Sequence, residues 1–309
     1  MKNFEILLDT TADLDKSFQE EYGIRAFPGH LTVDGRETDS FLEWTTTSRE
    51  AFYASLKADP ERYKTSPPSV GEMAQNMERC VAEGAGVLYI TISGGLSGTF
   101  NFANQAKAMV LEKYPEAEIE CVDSRRFGPA IGLMAVNASR MRAEGRSLGE
   151  VAETLNATKN QYHQAGWLDD LSYVAKQGRL THSKAFFGTL IGVKPIGEFD
   201  YNGLTTVLSK AKGEKNALNA LISYIQATIV RPEEQILFIA QTDRLKQAEK
   251  FKAMIEETIR PKAVYIKDVF PSCGVNIGPG LMAAYYIGNE ISADLSVERD
   301  LLNKFLGGA

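Results

Sequence analysis

Gly86-Val87-Leu88-Tyr89-Ile90-Thr91-Ile92 runs without a break into Ser93-Gly94-Gly95-Leu96-Ser97-Gly98-Thr99, and this junction decides the fold class. The first stretch is apolar but for Thr91, rich in β-branched and aromatic residues and without polar alternation. It reads as a strand buried on both faces. Three glycines in five residues then turn the chain, and the residues to about Tyr114 read as a helix. A doubly buried strand followed at once by a helix is the repeating unit of a parallel sheet.

The same alternation extends outward in both directions. Phe4 to Asp9 reads as a strand ending in Asp9-Thr10-Thr11, with a short helix from Asp13. Asp34-Gly35, between short apolar runs from Ala26 to Thr38, signals a hairpin. Arg49 to Lys57 reads as a helix, Lys64 to Pro68 as a loop, and Ser69-Val70-Gly71-Glu72 as a capping box opening another helix. Glu118 to Asp123 reads as a strand and Gly128 to Glu144 as a helix. A second capping box, Ser147 to Glu150, marks the change of domain. The expected fold is therefore α/β in two domains. Residues 1–150 form a Rossmann-like parallel-sheet domain with a small hairpin insertion near 26–38, and 151–309 an α+β domain. In the second, Leu168 to Ala175 reads as strand to helix, and Gly192 to Ser209 as a hairpin turning at Tyr201-Asn202-Gly203. A helix from Glu214, a strand from Gln235, a helix from Arg244 and a strand from Ala263 follow. Pro271 to Asn276 reads as a loop and Gly278-Pro279-Gly280 as a helix start.

Composition narrows the function. The 309 residues carry a net charge of −6 with both signs interspersed, which argues against nucleic acid, since phosphate neutralisation needs clustered basic residues. No run approaches the roughly 20 apolar residues of a membrane span, and Met1 to Asp9 is too short and acidic for a signal peptide. Cys80, Cys121 and Cys273 are odd in number and widely spaced, as reduced thiols of a cytoplasmic protein are. His30, His163 and His182 lie too far apart for a zinc or di-iron pattern, so no metal or cofactor is expected.

Three segments offer donors to an anion at strand-to-helix junctions: Ser93 to Thr99, Thr65-Ser66-Pro67-Pro68-Ser69, and Gly274 to Gly280 with Asn276 at its centre. Each also reads blandly, as a tight turn, a connector or a cap. Gly95-Leu96-Ser97-Gly98 lacks the spacing of a nucleophile elbow, and no phosphate-binding Gly-x-x-x-x-Gly-Lys is present. Asp9 and Asp123 end strands and precede Thr or Ser, which favours local turn contacts over a paired-carboxylate site. Asp169-Asp170 reads as a solvated or capping pair, and Pro129 to Val136 as core packing or the wall of an apolar tunnel.

Taken in order, Asp9 to Leu14, Thr65 to Ser69, Ser93 to Thr99, Val122-Asp123-Ser124, Leu171 to Leu180, Gly192 to Ile196 and Gly278-Pro279-Gly280 resemble the DegV family along essentially the whole chain. That resemblance implies two domains with a long-chain fatty acid between them. It also implies a protein that catalyses nothing alone and presents the acyl carboxylate to a separate fatty acid kinase subunit. By the same resemblance Thr65, Ser93 and Asn276 hold the carboxylate, with Ser66, Gly94, Gly95, Ser97 and Ile277 around it, and Arg179 faces the kinase. The chain departs from the family pattern at Gly94 (usually Ser), Asn276 (usually His), Gly128 (usually Ser) and Gln177 (usually Gly). Two other readings stand beside this one: a stand-alone enzyme acting on a small anionic metabolite, and a binder of a different anionic amphiphile.

Overall fold

The computed structural model describes residues 4–176, 178–179 and 192–307. Met1 to Asn3, Gln177, Leu180 and His182 lie outside the described residues. The chain divides into two compact units. Unit 1 comprises Met1–Thr46, Pro60–Lys159 and Phe270–Cys273, and unit 2 comprises Thr47–Asp59, Asn160–Val269 and Gly274–Ala309.

Unit 1 is built on four parallel strands. β1 (Phe4–Asp9) pairs with β2 (Ile24–Phe27) on one side, and α1 (Lys16–Tyr22) connects them. β3 (His30–Val33), β4 (Arg36–Asp39) and β5 (Tyr63–Ser66) form a separate antiparallel sheet in the order β4-β3-β5. The β3–β4 turn is Asp34-Gly35, with φ of 51° and 78°, the left-handed pair that a two-residue hairpin demands. The segment read as a loop at Lys64 to Ser66 is instead β5, paired to β3 with Thr65 opposite Leu31. Four residues that run straight into Pro67-Pro68 give no readable strand periodicity, so only the pairing partner defines the strand.

After β5 come α3 (Val70–Ala82), β6 (Gly86–Thr91), α4 (Thr99–Lys113), β7 (Ile119–Asp123), α5 (Pro129–Ala143) and α6 (Leu148–Thr158), and the parallel sheet runs β2-β1-β6-β7. Both capping boxes form: Ser69 N–H donates to Glu72 Oε2 at 2.7 Å and Ser147 N–H to Glu150 Oε2 at 2.8 Å. Alternating strand residues face opposite sides. Leu7, Val87 and Tyr89 pack with Met73 and Met77 of α3 and Ala103 and Ala106 of α4. Helices α5 and α6 cover the other face. Every residue from Pro129 to Val136 is buried, so this stretch is a core helix of unit 1.

Unit 2 carries a six-stranded mixed sheet. α2 (Arg49–Ala58) belongs to it in space. β8 (Tyr162–Leu168), α7 (Ser172–Lys176), β9 (Val193–Phe199), β10 (Thr205–Lys212), α8 (Glu214–Thr228), β11 (Ile236–Gln241), α9 (Leu245–Thr258), β12 (Ala263–Asp268), α10 (Pro271–Ile277, its residues up to Cys273 counted in unit 1), β13 (Leu281–Ile287) and α11 (Ser296–Phe305) follow in order. The sheet runs β10-β9-β8-β13-β11-β12, and only β11 and β12 pair in parallel. Two expectations are corrected here. Pro271 to Asn276 is helix, and Gly278-Pro279-Gly280 turns into a strand. Leu281 to Ile287 lies between β8 and β11 with nearly every residue buried, and a continuous apolar run has no period to tell strand from helix. Among the described residues no helix is long and apolar enough to cross a membrane.

One buried polar knot ties unit 2 together. The Glu198 carboxylate accepts from Gln164 N–H at 2.5 Å, Phe199 N–H at 2.9 Å and Tyr224 Oη at 3.1 Å. His163 Nδ1 lies 2.8 Å from the same carboxylate, and its Nε2 2.8 Å from Asn289 O. Burial first, then the Glu198 charge, holds the Tyr224 phenol well above its usual range. Replacing Glu198 by Ala strands all these donors at once, and we expect about 3–5 kcal/mol lost from unfolding stability in urea titrations. Gly166 stands opposite Ala283 and Gly197, and a Cβ there would run into the Met282 carbonyl oxygen and the Ala283 side chain. Gly166→Ala is expected to cost about 1–3 kcal/mol or more by the same measurement, because backbone on a central strand cannot yield.

Candidate ligand-binding site

Within unit 1 the strand order reverses at β1: the chain goes from β1 to β2 on one side and later to β6 on the other. The connections leaving the carboxyl ends of β1 and β6 therefore diverge, and such a switch point is the position where open α/β sheets take ligands. The residues that border it are Asp9 to Ala12 after β1 and Ile92 to Ser97 after β6.

Asp9 is consumed by its own turn. Its Oδ1 accepts from Thr11 N–H at 2.8 Å and from the Thr11 hydroxyl, and its Oδ2 from Tyr89 Oη at 2.9 Å. Burial pushes its carboxyl pKa up, and the bonds from Thr11 and Tyr89 oppose that. Asp123 likewise accepts Gly94 N–H at 3.1 Å and Arg125 N–H at 2.9 Å. Both acids make the local turn contacts expected of them and neither is a free catalytic carboxylate.

Ser93 is different. It is wholly buried, its N–H donates to Arg126 O at 2.8 Å, and its carbonyl accepts from Leu96 N–H and Ser97 N–H. Its Oγ accepts from Gly95 N–H at 3.2 Å, and no acceptor for the hydroxyl proton is present among the described residues. A buried hydroxyl with its lone pair engaged and its proton unused is an oriented donor. Ser97, by contrast, spends its Oγ on Thr99, accepting from the backbone N–H at 3.3 Å, at the start of α4. Gly94 and Gly95 are exposed. A Cβ on Gly94 would stand 3.1 Å from Asp123 Oδ2, so the serine usual at this position would need Asp123 to give way.

Thr65 and Ser66 sit on β5, and the Ser66 carbonyl and the Thr10 hydroxyl both flank Gly29, at 3.1 and 3.6 Å from a Cβ placed there. Gly29 N–H donates to Thr10 Oγ1 at 3.1 Å. The end of β5 thus reaches the end of β1. Sequence reading missed what continues from Thr10: its Oγ1 lies 2.7 Å from Ser272 Oγ, which donates to Ser40 Oγ at 2.7 Å. These three hydroxyls are buried. Thr10 stood in a quoted motif, but isolated serines at 40 and 272 carry no pattern that announces a relay closing over some 260 residues.

The remaining predicted residues belong to unit 2. Asn276 and Ile277 end α10, Asn276 half-buried and Ile277 buried. Arg179 follows α7, its N–H donating to Val174 O at 3.1 Å. The Gly278-Pro279-Gly280 turn is wedged: a Cβ on Gly278 would meet the Tyr173 ring, and one on Gly280 would stand 2.7 Å from Asp169 Cβ. Both glycines have positive φ, 74° and 102°. Asp170 caps α7 by accepting Ser172 N–H at 2.8 Å, as a capping residue should. Asp169 is only partly exposed and binds Lys194 and Arg244. Lys194 lay in a quoted motif without a role, and its signal was a lysine inside an otherwise apolar strand segment. Among the described residues no group of three or more His, Cys, Asp or Glu is placed to hold a metal.

The comparisons with known proteins fit this architecture. A DegV domain-containing protein of Clostridium perfringens is 31% identical over 289 residues, covering 94% of this chain and 99% of that one. The solved structure of a DegV family protein from Thermus thermophilus, described as binding fatty acid, superposes with a TM-score of 0.81 at 22% identity, covering 93% and 100% of the two chains. That of a hypothetical protein from Thermotoga maritima, described as revealing a fatty acid binding function, gives 0.77 at 25% identity over 92% and 99%. The model of the DegV family of uncharacterised proteins matches residues 3–289, and the chain belongs to that family.

Proposed function

We propose that this protein binds a long-chain fatty acid, receives its carboxylate on the Ser93 hydroxyl, and presents that carboxylate to a separate fatty acid kinase subunit. The observation that carries the reading is Ser93 itself: a wholly buried hydroxyl at the β1/β6 switch point whose proton has no acceptor among the described residues. The fatty acids bound by the family members from Thermus and Thermotoga supply the ligand class. Thr65, Ser66, Gly94, Gly95, Ser97, Asn276 and Ile277 keep, within this proposal, the head-group assignment that the resemblance gives them. Arg179 keeps the kinase-facing one.

The energetics are favourable. An acyl chain of about 14 methylenes gains roughly 11 kcal/mol gross on full burial, and lost ligand freedom offsets a large part. A buried carboxylate without partners costs several kcal/mol, which oriented hydroxyl and backbone donors recover. No side chain in this account is a general base or nucleophile, so phosphoryl transfer falls to the partner.

Solvent extraction of the natively purified protein followed by mass spectrometry should yield one equivalent of a fatty acid of about 14 to 18 carbons, the length used above. Recovery of a phosphorylated metabolite, or of nothing, would refute the reading. Ser93→Ala should weaken fatty acid binding about ten- to a hundredfold, as expected for a lost hydrogen bond to a charged group. Arg179→Ala should leave bound fatty acid unchanged and abolish its phosphorylation by the cognate kinase; loss of the lipid instead would place Arg179 in the pocket or the fold.

A further inference from the structure

One acid of unit 1 is buried without a cation to balance it. Asp9 is 2% exposed and takes part in no ion pair among the described residues. Its carboxylate is met by neutral donors, the Thr11 N–H and hydroxyl and, at 2.9 Å, the Tyr89 hydroxyl. Phe27 stands beside it on β2, and α5 opens behind the turn with Gly128-Pro129-Ala130. The nearby titratable groups are Tyr89, Asp13 and Cys273. Burial first, then the Asp13 and Asp9 charges, push the Cys273 thiol well above its usual range. Burial likewise raises the Asp9 carboxyl, and the bonds from Thr11 and Tyr89 oppose it.

This acid stands on the strand next to Ser93. β1 and β6 pair in parallel with Leu7 opposite Tyr89, and two residues on, Asp9 ends β1 and Thr91 ends β6. Ser93 follows two residues later. Strands about 4.8 Å apart, and two residues that span about 7 Å, put the Asp9 and Ser93 Cα atoms at most about 12 Å apart. The loop offers no charge-balancing backbone at this point. Gly94 N–H is spent on Asp123, Gly95 N–H on Ser93 Oγ, and Leu96 and Ser97 N–H on the Ser93 carbonyl. Arg125 and Arg126 follow β7, which lies on the other side of β6 from Asp9.

We infer that Asp9 takes up a proton when the fatty acid carboxylate reaches Ser93, and that ligand binding is thereby linked to pH. The inference rests on the proposed function. A carboxylate on Ser93 brings a second negative charge into a region where Asp9 is already dehydrated. At about 10 Å and an effective dielectric constant of about 20, the two charges disfavour each other roughly tenfold. The proton comes from solvent and forms one O–H bond on Asp9, which becomes neutral. Asp9 is the group that takes it, because burial already raises its carboxyl while the head group keeps the Ser93 donor. Asp9 then holds its proton more firmly in the complex than in the free protein, so affinity is highest at low pH. It falls about tenfold in all as pH rises through the range where free, and then liganded, Asp9 ionises. An Asp9 that served the turn alone would titrate identically with and without ligand.

The test follows the Asp9 side-chain carboxyl by carbon-13 NMR in the full-length protein, first freed of lipid and then loaded with hexadecanoate. Asp9→Asn assigns the signal. Its titration should move to higher pH by about one pH unit on loading. Calorimetry of hexadecanoate binding, in buffers with different heats of ionisation, counts the protons taken up. Protons bound by the fatty acid itself appear equally in wild type and Asp9→Asn, so a larger uptake in wild type supports the inference. A titration that stays put or moves to lower pH overturns it, and so does equal uptake in the two proteins. Should thermal melting show that Asp9→Asn fails to fold, through-bond assignment replaces it and the wild-type titration decides alone. Bound fatty acid is measured separately by extraction. A protein that loads fatty acid while Asp9 titrates unchanged defeats this inference alone, whereas one that loads none defeats the proposed function and this inference with it.

Discussion

Parallel strands cannot be joined by tight turns, and in unit 1 that one constraint places nearly everything else. Each strand must be followed by a crossover that returns the chain to the same end of the sheet. The sheet is therefore covered on both faces, and its central strand β6 is buried along its whole length. Because the chain leaves β1 toward β2 and comes back on the other side as β6, the connections from the carboxyl ends of β1 and β6 run to opposite sides. Backbone N–H groups and short polar side chains collect there, and the rest of the sheet stays apolar. Ser93 lies at that switch point, buried, with its backbone groups and Oγ lone pair bonded and its hydroxyl proton unspent among the described residues.

What was legible in the sequence was what local physics decides. Ser69 and Glu72, or Ser147 and Glu150, satisfy each other's backbone across three residues, so the boxes could be read before any partner was known. Asp34-Gly35 announces a left-handed turn for the same reason. The doubly buried strand at Gly86 to Thr91 needed only its own composition and a glycine-rich exit. Elements defined by distant partners were hidden. β5 is a strand because β3 lies beside it, and β13 is a strand because it fills the centre of a sheet. Leu281 to Ile287 would be as apolar in a buried helix.

The site divides along the same line. Ser93 and its glycines sit in a turn whose chemistry is local, and the sequence exposed them. The Thr10, Ser272 and Ser40 hydroxyls meet only after folding, and so do Asp169, Lys194 and Arg244. A Cβ on Gly94 would stand 3.1 Å from the Asp123 carboxylate that accepts Gly94 N–H, so a side chain there needs that carboxylate to give by a few tenths of an ångström.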